Sequence, residues 1–328
     1  MPVWNRLQWN GMRDSSVMLY VRGKCKLMHI SLSGGGSRGL VHAAFFEHLQ
    51  TSAEGKALMK KATSFSGVSA GALVATPLAM GVDPKKITRT FEEGGLTSWM
   101  HWPRVAMAML GLRKSVYDGQ VLYERLQGMC SAERLRYPLS LGVTTVSDMK
   151  QVSLRYTEQC SRDSLFNCAV ASAAVPFLFS AREAGDSGLA CDGGAIRCTF
   201  PVDAIVSAIR AGDEVTLVNA APWPGFREVI GTRNERIFAN AFDVFNEHGM
   251  EWLPRELGAD TFAYKDGIFK HGNVTFIAPT GAQYAASGGT QAAGDLRYKG
   301  HSAFTRRLRQ EGIEIANQYV QMKHMHQI

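Results

Sequence analysis

One short stretch of the sequence carries a residue type and spacing suited to nucleophilic catalysis. Residues 67–71 read Gly-Val-Ser-Ala-Gly, the G-x-S-x-G pattern in which Gly67 and Gly71 permit a sharp turn that projects a serine hydroxyl. A short β-type run precedes Ser69 and an apolar helical run follows it, so its oxygen would lie at a helix N-terminus, where developing negative charge is favoured. The pattern predicts that Ser69 is a nucleophile.

A glycine-rich loop lies upstream of this serine and admits two functions. Gly34, Gly36 and Gly39 fit the G-x-G-x-x-G spacing of a dinucleotide-binding turn. That function requires an acidic residue at the end of the second strand to hold a ribose, and the predicted strand ends instead in Phe65-Ser66-Gly67. The loop also lacks the Gly-Lys-Ser/Thr ending of a nucleotide phosphate loop, so both absences argue against a bound cofactor.

The same loop fits a role in stabilising an oxyanion. If the strands before the loop and before Ser69 are neighbours in one parallel sheet, both loops emerge at the same carboxyl edge. The backbone N–H groups of Gly35 and Gly36 would then face an oxygen of a substrate that Ser69 attacks. Donors fixed in this way stabilise a tetrahedral oxyanion by a few kcal/mol each.

A serine nucleophile needs a base, and Asp192 is the best-placed candidate. It ends a β-type run and precedes Gly193 and Gly194, which allow a turn that aims a carboxylate into a cleft. An Asp-Gly-Gly sequence is also found in plain turns, so this motif gains weight only together with the other two.

The elements that must position these residues alternate between strand and helix. Strand-like runs are predicted at 27–32, 63–67, 138–146, 151–157, 214–220 and 273–279, and helical runs at 40–51, 70–80, 164–175 and 302–325. Strands separated by helices predict an α/β fold with a mainly parallel sheet covered on both faces. We expect residues 1–26 to be an N-terminal extension and 27–328 to form a single catalytic domain, with 221–328 the less certain part.

The composition is that of an ordinary globular protein with a basic excess. The 328 residues are 45% hydrophobic and 20% charged, and 36 basic against 29 acidic residues give a net charge of +7. This excess suits an anionic surface such as lipid headgroups, although a merely soluble basic protein has the same balance. No clustered basic stripe indicates nucleic-acid binding. Six scattered cysteines predict reduced thiols, and the absence of a signal-like start or membrane span predicts a cytoplasmic protein with peripheral membrane contact at most.

The interval 91–113 differs from the rest of the chain in composition. It contains Trp99, Trp102 and three methionines among few charges, and it is too short to cross a bilayer. Amphipathic aromatic side chains could seat this segment at a lipid interface or over a pocket as a lid. An ordinary core helix with a tryptophan-rich cap is the other interpretation.

Three motifs in this order resemble the patatin-like phospholipase family. They are S-G-G-G-S-R-G at 33–39, G-V-S-A-G at 67–71 and D-G-G at 192–194; A-S-A-A-V-P-F-L-F at 171–179 and V-Y-D-G-Q-V-L-Y-E-R-L at 116–126 also look like family segments. The resemblance covers about residues 27–220.

The resemblance implies a three-layer α/β/α sandwich and an acyl hydrolase with a Ser69–Asp192 dyad, without metal or cofactor. Gly34, Gly35 and Gly36 would form the oxyanion hole, and Arg38 would order this loop and assist with a phosphate headgroup. Substrates would be phospholipids or other lipid esters.

Two other functions stay open at this point. A Ser-Asp-His hydrolase could use His248, His271 or His301, which lie C-terminal to Ser69 as that order requires. A catalytically silent lipid-binding scaffold could retain the fold without turnover.

Overall fold

The fold was analysed in a computed structural model. It describes residues 27–93, 115–117, 119–131, 133–176, 178–195, 199–222, 252–257, 267–289 and 302–325. The extension 1–26, both tryptophans Trp99 and Trp102, and most of the predicted lid lie outside these residues. The strands of the described residues are Met28–Leu32 (β1), Ala62–Val68 (β2), Leu139–Thr145 (β3), Gln151–Tyr156 (β4), Arg182–Glu183 (β5), Leu189–Asp192 (β6), Glu214–Val218 (β7), Ile268–His271 (β8) and Val274–Ile277 (β9).

The helices of the same residues lie mostly between these strands. They are Gly39–Leu49 (α1), Ala53–Lys61 (α2), Ala70–Met80 (α3), Pro84–Glu93 (α4), Gln120–Met129 (α5), Arg162–Ser172 (α6), Val202–Arg210 (α7), Trp252–Leu257 (α8), Gly281–Ala286 (α9) and Ala303–Met325 (α10). The first three residues of the predicted lid are therefore the end of α4, where Phe91 is buried.

The strands form one sheet with a parallel centre and antiparallel flanks. Strands β3, β2, β1, β7 and β9 are parallel neighbours in that order, whereas β4, β6 and β8 join the sheet antiparallel to it. Successive residues of β7 enter different apolar clusters, Leu217 on one face and Val218 on the other. Because side chains alternate across a strand, the sheet is covered on both faces, which confirms the α/β sandwich.

Strand β3 has an arrangement that brings two chain segments together end to end. It pairs with β4 along Leu139–Thr144, so the opposite edge of β3 is shared by β2 and β6. On that edge Val68 of β2 pairs with Gly142, and Asp192 of β6 pairs with the next residue, Val143. The carboxyl ends of β2 and β6 therefore meet head-on.

The long helix α10 packs closely across α1, which begins at the glycine loop. A Cβ atom at Gly312 would lie 2.5 Å from the Val41 carbonyl oxygen and 2.8 Å from Cβ of Ala44. Only glycine permits this approach without a shift of one helix. The crossing places the C-terminal part of the described chain against the element that follows the loop.

The predicted elements are found with shifts of a few residues, and one helix end differs for a clear reason. The helix predicted at 164–175 ends at Ser172. Val175 precedes Pro176, and a residue before proline is disfavoured in helical conformation. Eight elements of the described residues were not predicted: α2, α4, α5, α7, α8, α9, β5 and β8.

Candidate active site

Ser69 lies in a strained turn between β2 and α3. Its backbone has φ 54° and ψ −126°, a conformation that costs a non-glycine residue energy and is concentrated at functional sites. The turn is tight because neither flanking glycine has a side chain. A Cβ at Gly67 would lie 2.5 Å from the Gly71 carbonyl oxygen, and one at Gly71 would lie 2.4 Å from that of Ser33.

Asp192 lies at the end of β6 and is almost completely buried. Its side chain is 5% exposed, and Oδ1 accepts a hydrogen bond of 2.8 Å from the Gly194 N–H. Burial raises the pKa of this carboxyl to about 6, because desolvation disfavours its charged form. Hydrogen bonds from Ser69 and Gly194 counteract part of this rise in pKa.

The structure brings the Ser69 and Asp192 side chains together. The Ser69 hydroxyl is close enough to lower the pKa of Asp192, yet Oδ2 of Asp192 has no well-aligned hydrogen-bond partner among the described residues. Hydrogen bonds between catalytic groups are often long or poorly aligned before a substrate binds. The Ser69 hydroxyl therefore lies near the Asp192 carboxyl, whose Oδ2 forms no hydrogen bond with the described residues.

Ser172, at the end of α6, forms hydrogen bonds with the serine turn, with β3 and with the turn that follows β6. Its hydroxyl accepts a hydrogen bond of 3.0 Å from the Ser69 N–H and donates one of 2.6 Å to the Gly142 carbonyl. Its own carbonyl accepts a bond of 3.2 Å from the Gly193 N–H. The sequence places Ser172 in the A-S-A-A-V-P segment but gives no signal of this role.

The turn after Asp192 is fixed from the opposite side by β3 and β4. A Cβ at Gly193 would lie 2.2 Å from the Gly142 carbonyl oxygen, so the turn needs glycine to approach β3. The Gln151 side-chain amide donates a bond of 2.6 Å to the Gly193 carbonyl. These contacts hold the carboxylate of Asp192 against the end of β2.

The glycine loop lies directly beside Ser69. A Cβ at Gly34 would be 3.2 Å from Cβ of Ser69, and Gly36 has φ 56°. The Gly34 N–H donates to the Thr199 carbonyl at 2.7 Å, so it is not free to bind a substrate oxygen. The N–H groups of Gly35 and Gly36 have no hydrogen-bond acceptor among the described residues. The loop therefore presents two unused donors next to the serine.

Arg38 is buried, and its guanidinium is surrounded by polar and aromatic groups of the protein. The side chain is 1% exposed and forms an ion pair with Glu311, while its Nη1 donates to the Ser287 hydroxyl at 3.0 Å. The guanidinium also lies 4.3 Å from the centre of the Tyr284 ring. This geometry favours the expected role in ordering the loop and does not favour contact with a phosphate headgroup.

His42 is a further residue at the loop that sequence reasoning missed. Burial lowers its pKa to about 4, so the imidazole is neutral. Its Nε2 lies 3.0 Å from the Ser33 carbonyl oxygen, which assigns the proton to Nε2 because a carbonyl can only accept. His42 thus holds the residue that precedes the glycines. A histidine within the apolar first part of α1, residues 39–46, is the only signal of it in the sequence.

The histidines proposed for a catalytic triad do not approach Ser69 where they are described. His271 is the last residue of β8 and pairs with the first residue of β9, at the amino edge of the parallel strands. Three strands also separate β8 from β2. His248 and His301 lie outside the described residues.

Comparison with known families identifies the combination of loop, serine turn and aspartate. The sequence profile of the patatin-like phospholipases matches residues 30–206, a stretch that contains all three. The chain belongs to the patatin-like phospholipase family. Membership of this family supports hydrolysis of lipids.

Solved structures with a similar arrangement are distant in sequence. VipD from Legionella pneumophila is 15% identical with a TM-score of 0.45, over 89% of this chain and 66% of that one. Human GIVD cytosolic phospholipase A2 is 11% identical with a TM-score of 0.49, over 90% and 58% of the two chains. This patatin-like chain thus spans less than two thirds of either structure. No curated protein sequence matches it.

The described part of the chain contains neither a helix suited to span a membrane nor a cluster of metal-binding side chains. None of its helices has the length and hydropathy of a membrane span. None of its His, Cys, Asp and Glu side chains form a group of three that could hold a metal ion.

Proposed function

We propose that this patatin-like protein is a phospholipase A-type enzyme that cleaves carboxylic ester bonds of membrane phospholipids with a Ser69–Asp192 dyad. The observation that carries this proposal is the head-on meeting of β2 and β6, which places a strained serine against a buried carboxyl. The two unused N–H groups of the adjacent glycine loop support it, since acyl transfer develops negative charge beside the nucleophile.

In the first half of the reaction, the Asp192 carboxylate takes the hydroxyl proton of Ser69 while Oγ attacks the ester carbonyl carbon. The carbonyl oxygen becomes an oxyanion, which the N–H groups of Gly35 and Gly36 stabilise. When this intermediate collapses, the bond to the leaving alcohol breaks and the alcohol oxygen receives the proton from Asp192. The fatty acyl group stays on Ser69 as an ester.

In the second half, water replaces the alcohol. Asp192 removes a proton from the water as its oxygen attacks the acyl carbon, and the same two N–H groups stabilise the second oxyanion. Collapse breaks the bond to Oγ, and Ser69 regains the proton from Asp192. The products are a lysophospholipid and a fatty acid, and the enzyme returns to its initial state without a metal or cofactor.

The environment of Asp192 suits this role. An ordinary aspartate with a pKa near 4 is a weak base for a serine hydroxyl. Burial raises the pKa of Asp192 to about 6, which brings its basicity closer to the pH at which the enzyme works.

Peripheral membrane contact and a cytoplasmic location belong to the same proposal. The net charge of +7 supports attraction to an anionic lipid surface. Trp99 and Trp102 are the residues proposed to enter the interface, because amphipathic aromatic rings favour the boundary between lipid and water.

The experiment that tests the function measures fatty acid release from mixed phospholipid vesicles and hydrolysis of a short-chain, water-soluble ester. Ser69→Ala and Asp192→Asn should each reduce kcat on both substrates by about 10³-fold or more, as loss of a nucleophile or its base does in other hydrolases. His271→Ala is the matched control and should retain activity. Circular dichroism of each variant checks that it is folded.

Each other outcome identifies a different function. Full activity of Asp192→Asn would contradict the dyad, and loss of activity in a folded His271→Ala variant would indicate a triad. A folded wild-type protein that hydrolyses neither substrate while binding vesicles would be a lipid-binding scaffold.

A further inference from the structure

The glycine loop is connected to the far end of the chain through Arg38. Arg38 follows the loop directly, and its own N–H donates to the Gly35 carbonyl at 3.0 Å. Its guanidinium reaches Ser287 in the turn after α9 and Glu311 in α10, residues 249 and 273 positions away. Both lie outside the stretch 30–206 that defines the family.

The ion pair between Arg38 and Glu311 is enclosed by protein. The two side chains are 1% and 2% exposed, and the second carboxylate oxygen of Glu311 is buried without a partner among the described residues. Desolvation also raises the pKa of Glu311, although Arg38 favours its charged form. A buried ion pair that is incompletely hydrogen-bonded adds little stability compared with apolar side chains. We therefore expect the ion pair to contribute by fixing the positions of the residues around it.

The geometry that Arg38 controls is the distance between the glycine loop and the end of β7. Its Nε donates to the Ala220 carbonyl at 2.6 Å, and the Ala220 N–H donates to the Ser33 hydroxyl at 2.8 Å. The loop touches Ala220 at Gly35, where an added Cβ would lie 2.6 Å from Cβ of Ala220. The loop backbone is thus pressed against β7 by a side chain that Glu311 orients.

We propose that Glu311 is a positioning residue for the oxyanion hole, which acts through Arg38 to fix the Gly35 and Gly36 N–H groups. This inference rests on the proposed function, because it assigns these groups to the oxyanion. It assigns a catalytic contribution to a helix outside the family-defining stretch.

A purely structural role for Glu311 would be the attachment of α10 to the domain, and a neighbouring residue already provides that attachment. Arg309, also in α10, pairs with Glu92 of α4 at 3.2 Å and with Glu47 of α1 at 2.9 Å. None of these three residues contacts the glycine loop in the described structure. Arg309→Gln is therefore the matched control for loss of an ion pair in the same helix.

The first test compares Glu311→Gln with Arg309→Gln in the full chain. With a water-soluble ester, Glu311→Gln should lower kcat by about 10- to 100-fold with little change in KM, since small displacements of catalytic groups have effects of this size. Amide hydrogen exchange in residues 33–38 should become faster. Arg309→Gln should leave kcat and the exchange of this loop close to wild type.

A second variant separates positioning from folding. Arg38→Met with Glu311→Leu replaces the pair by apolar side chains, which is often neutral or stabilising in other proteins. We expect a thermal midpoint close to or above wild type together with the same loss of kcat. Wild-type kcat in this folded double variant, or equal losses in Glu311→Gln and Arg309→Gln, would overturn the inference.

The exchange measurement distinguishes failure of this inference from failure of the proposed function. Faster exchange of residues 33–38 in Glu311→Gln supports the positioning of the loop even if no ester is hydrolysed. Unchanged exchange contradicts it, whether or not wild type is active.

Discussion

The two loops that meet at Ser69 are built in different ways. The serine turn takes its shape mainly from adjacent residues, since Gly67 allows the chain to fold back on itself and β2 and α3 hold its ends, while Ser172 bonds the Ser69 N–H. The glycine loop takes its shape from distant ones, because Ala220, Ser287 and Glu311 hold it through Arg38.

The nucleophile and the N–H groups that stabilise the oxyanion are therefore positioned by different parts of the molecule. The position of Ser69 follows from strand register and local turn geometry, so it should tolerate changes elsewhere in the molecule. The position of the Gly35 and Gly36 N–H groups depends on contacts with three remote segments, at Ala220, Ser287 and Glu311. Changes far from the serine should therefore reduce the rate through the glycine loop first.

Outside the Ser69–Asp192 dyad, the largest effect is expected from a methyl group placed between the loop and β7. In Gly35→Ala the new Cβ would lie 2.6 Å from Cβ of Ala220, so the loop must move. The φ of Gly35 is 174°, outside the left-handed region, so the expected effect comes from this contact. We expect kcat to fall about 100-fold on a soluble ester.

Rescue provides the control for this variant. Adding Ala220→Gly removes the atom that the new methyl group meets and should restore most of the lost rate. Gly128→Ala, in α5 with open space around the new methyl group, should leave kcat unchanged. A Gly35→Ala enzyme with wild-type kcat would show that the loop needs no exact distance from β7.

A smaller effect is expected on the side of the serine turn. Ser172→Ala leaves the Ser69 N–H and the Gly142 carbonyl without their partner, which should lower the free energy of unfolding by about 1–3 kcal/mol. Because strand register still places Ser69, kcat should fall only about tenfold. Thr76→Ala is the control: among the described residues this buried hydroxyl bonds only the Ala72 carbonyl of its own helix, so kcat should not change. If Ser172→Ala lowered kcat more than Gly35→Ala does, the serine turn would depend on distant contacts more than the glycine loop.

The pH dependence should show the ionisation of Asp192. Since the reaction needs its carboxylate and the pKa is about 6, kcat/KM on a soluble ester should be half-maximal near pH 6 and fall tenfold per pH unit below it. Activity that persists unchanged to pH 4.5 would contradict a buried base.

The last effect leaves the reaction rate aside: the ionisation of Asp192 changes stability in the opposite direction, so stability falls as pH rises. The folded-state pKa of Asp192 lies above the ordinary aspartate value of 3.8, so the folded chain binds this proton more tightly than the unfolded chain does. The unfolding free energy therefore decreases as pH rises between about 4 and 6, and the full cost of roughly 3 kcal/mol is present above pH 6. Asp192→Asn should raise stability at pH 8 more than at pH 4, measured by urea unfolding. An equal change at both pH values would show that the charge is not the cause.

Much of the serine side of the site could be predicted from the sequence. The turn at 67–71, the helix at 70–80 and the neighbouring parallel strands β1 and β2 are found as the sequence predicts. Such features depend on short-range patterns of glycines and apolar residues, which a single sequence contains.

The remaining features depend on contacts that no local pattern encodes. The head-on meeting of β2 and β6 depends on how β3 divides one edge between two strands, and β-type runs do not specify their partners. The roles of Ser172, His42 and Glu311 arise from hydrogen bonds across the fold. Helices α2 and α4 were missed because their charged and polar residues conceal a narrow apolar side.

The length of chain between Arg38 and Glu311 has a consequence for the order of events during synthesis. These residues are 273 positions apart, so the glycine loop and Ser69 leave the ribosome long before the partner of Arg38 exists. Contacts of such sequence separation form late, because a long loop must first be closed. A nascent chain can therefore fold its central strands before Glu311 is present to orient Arg38 and, through it, the Gly35 and Gly36 N–H groups.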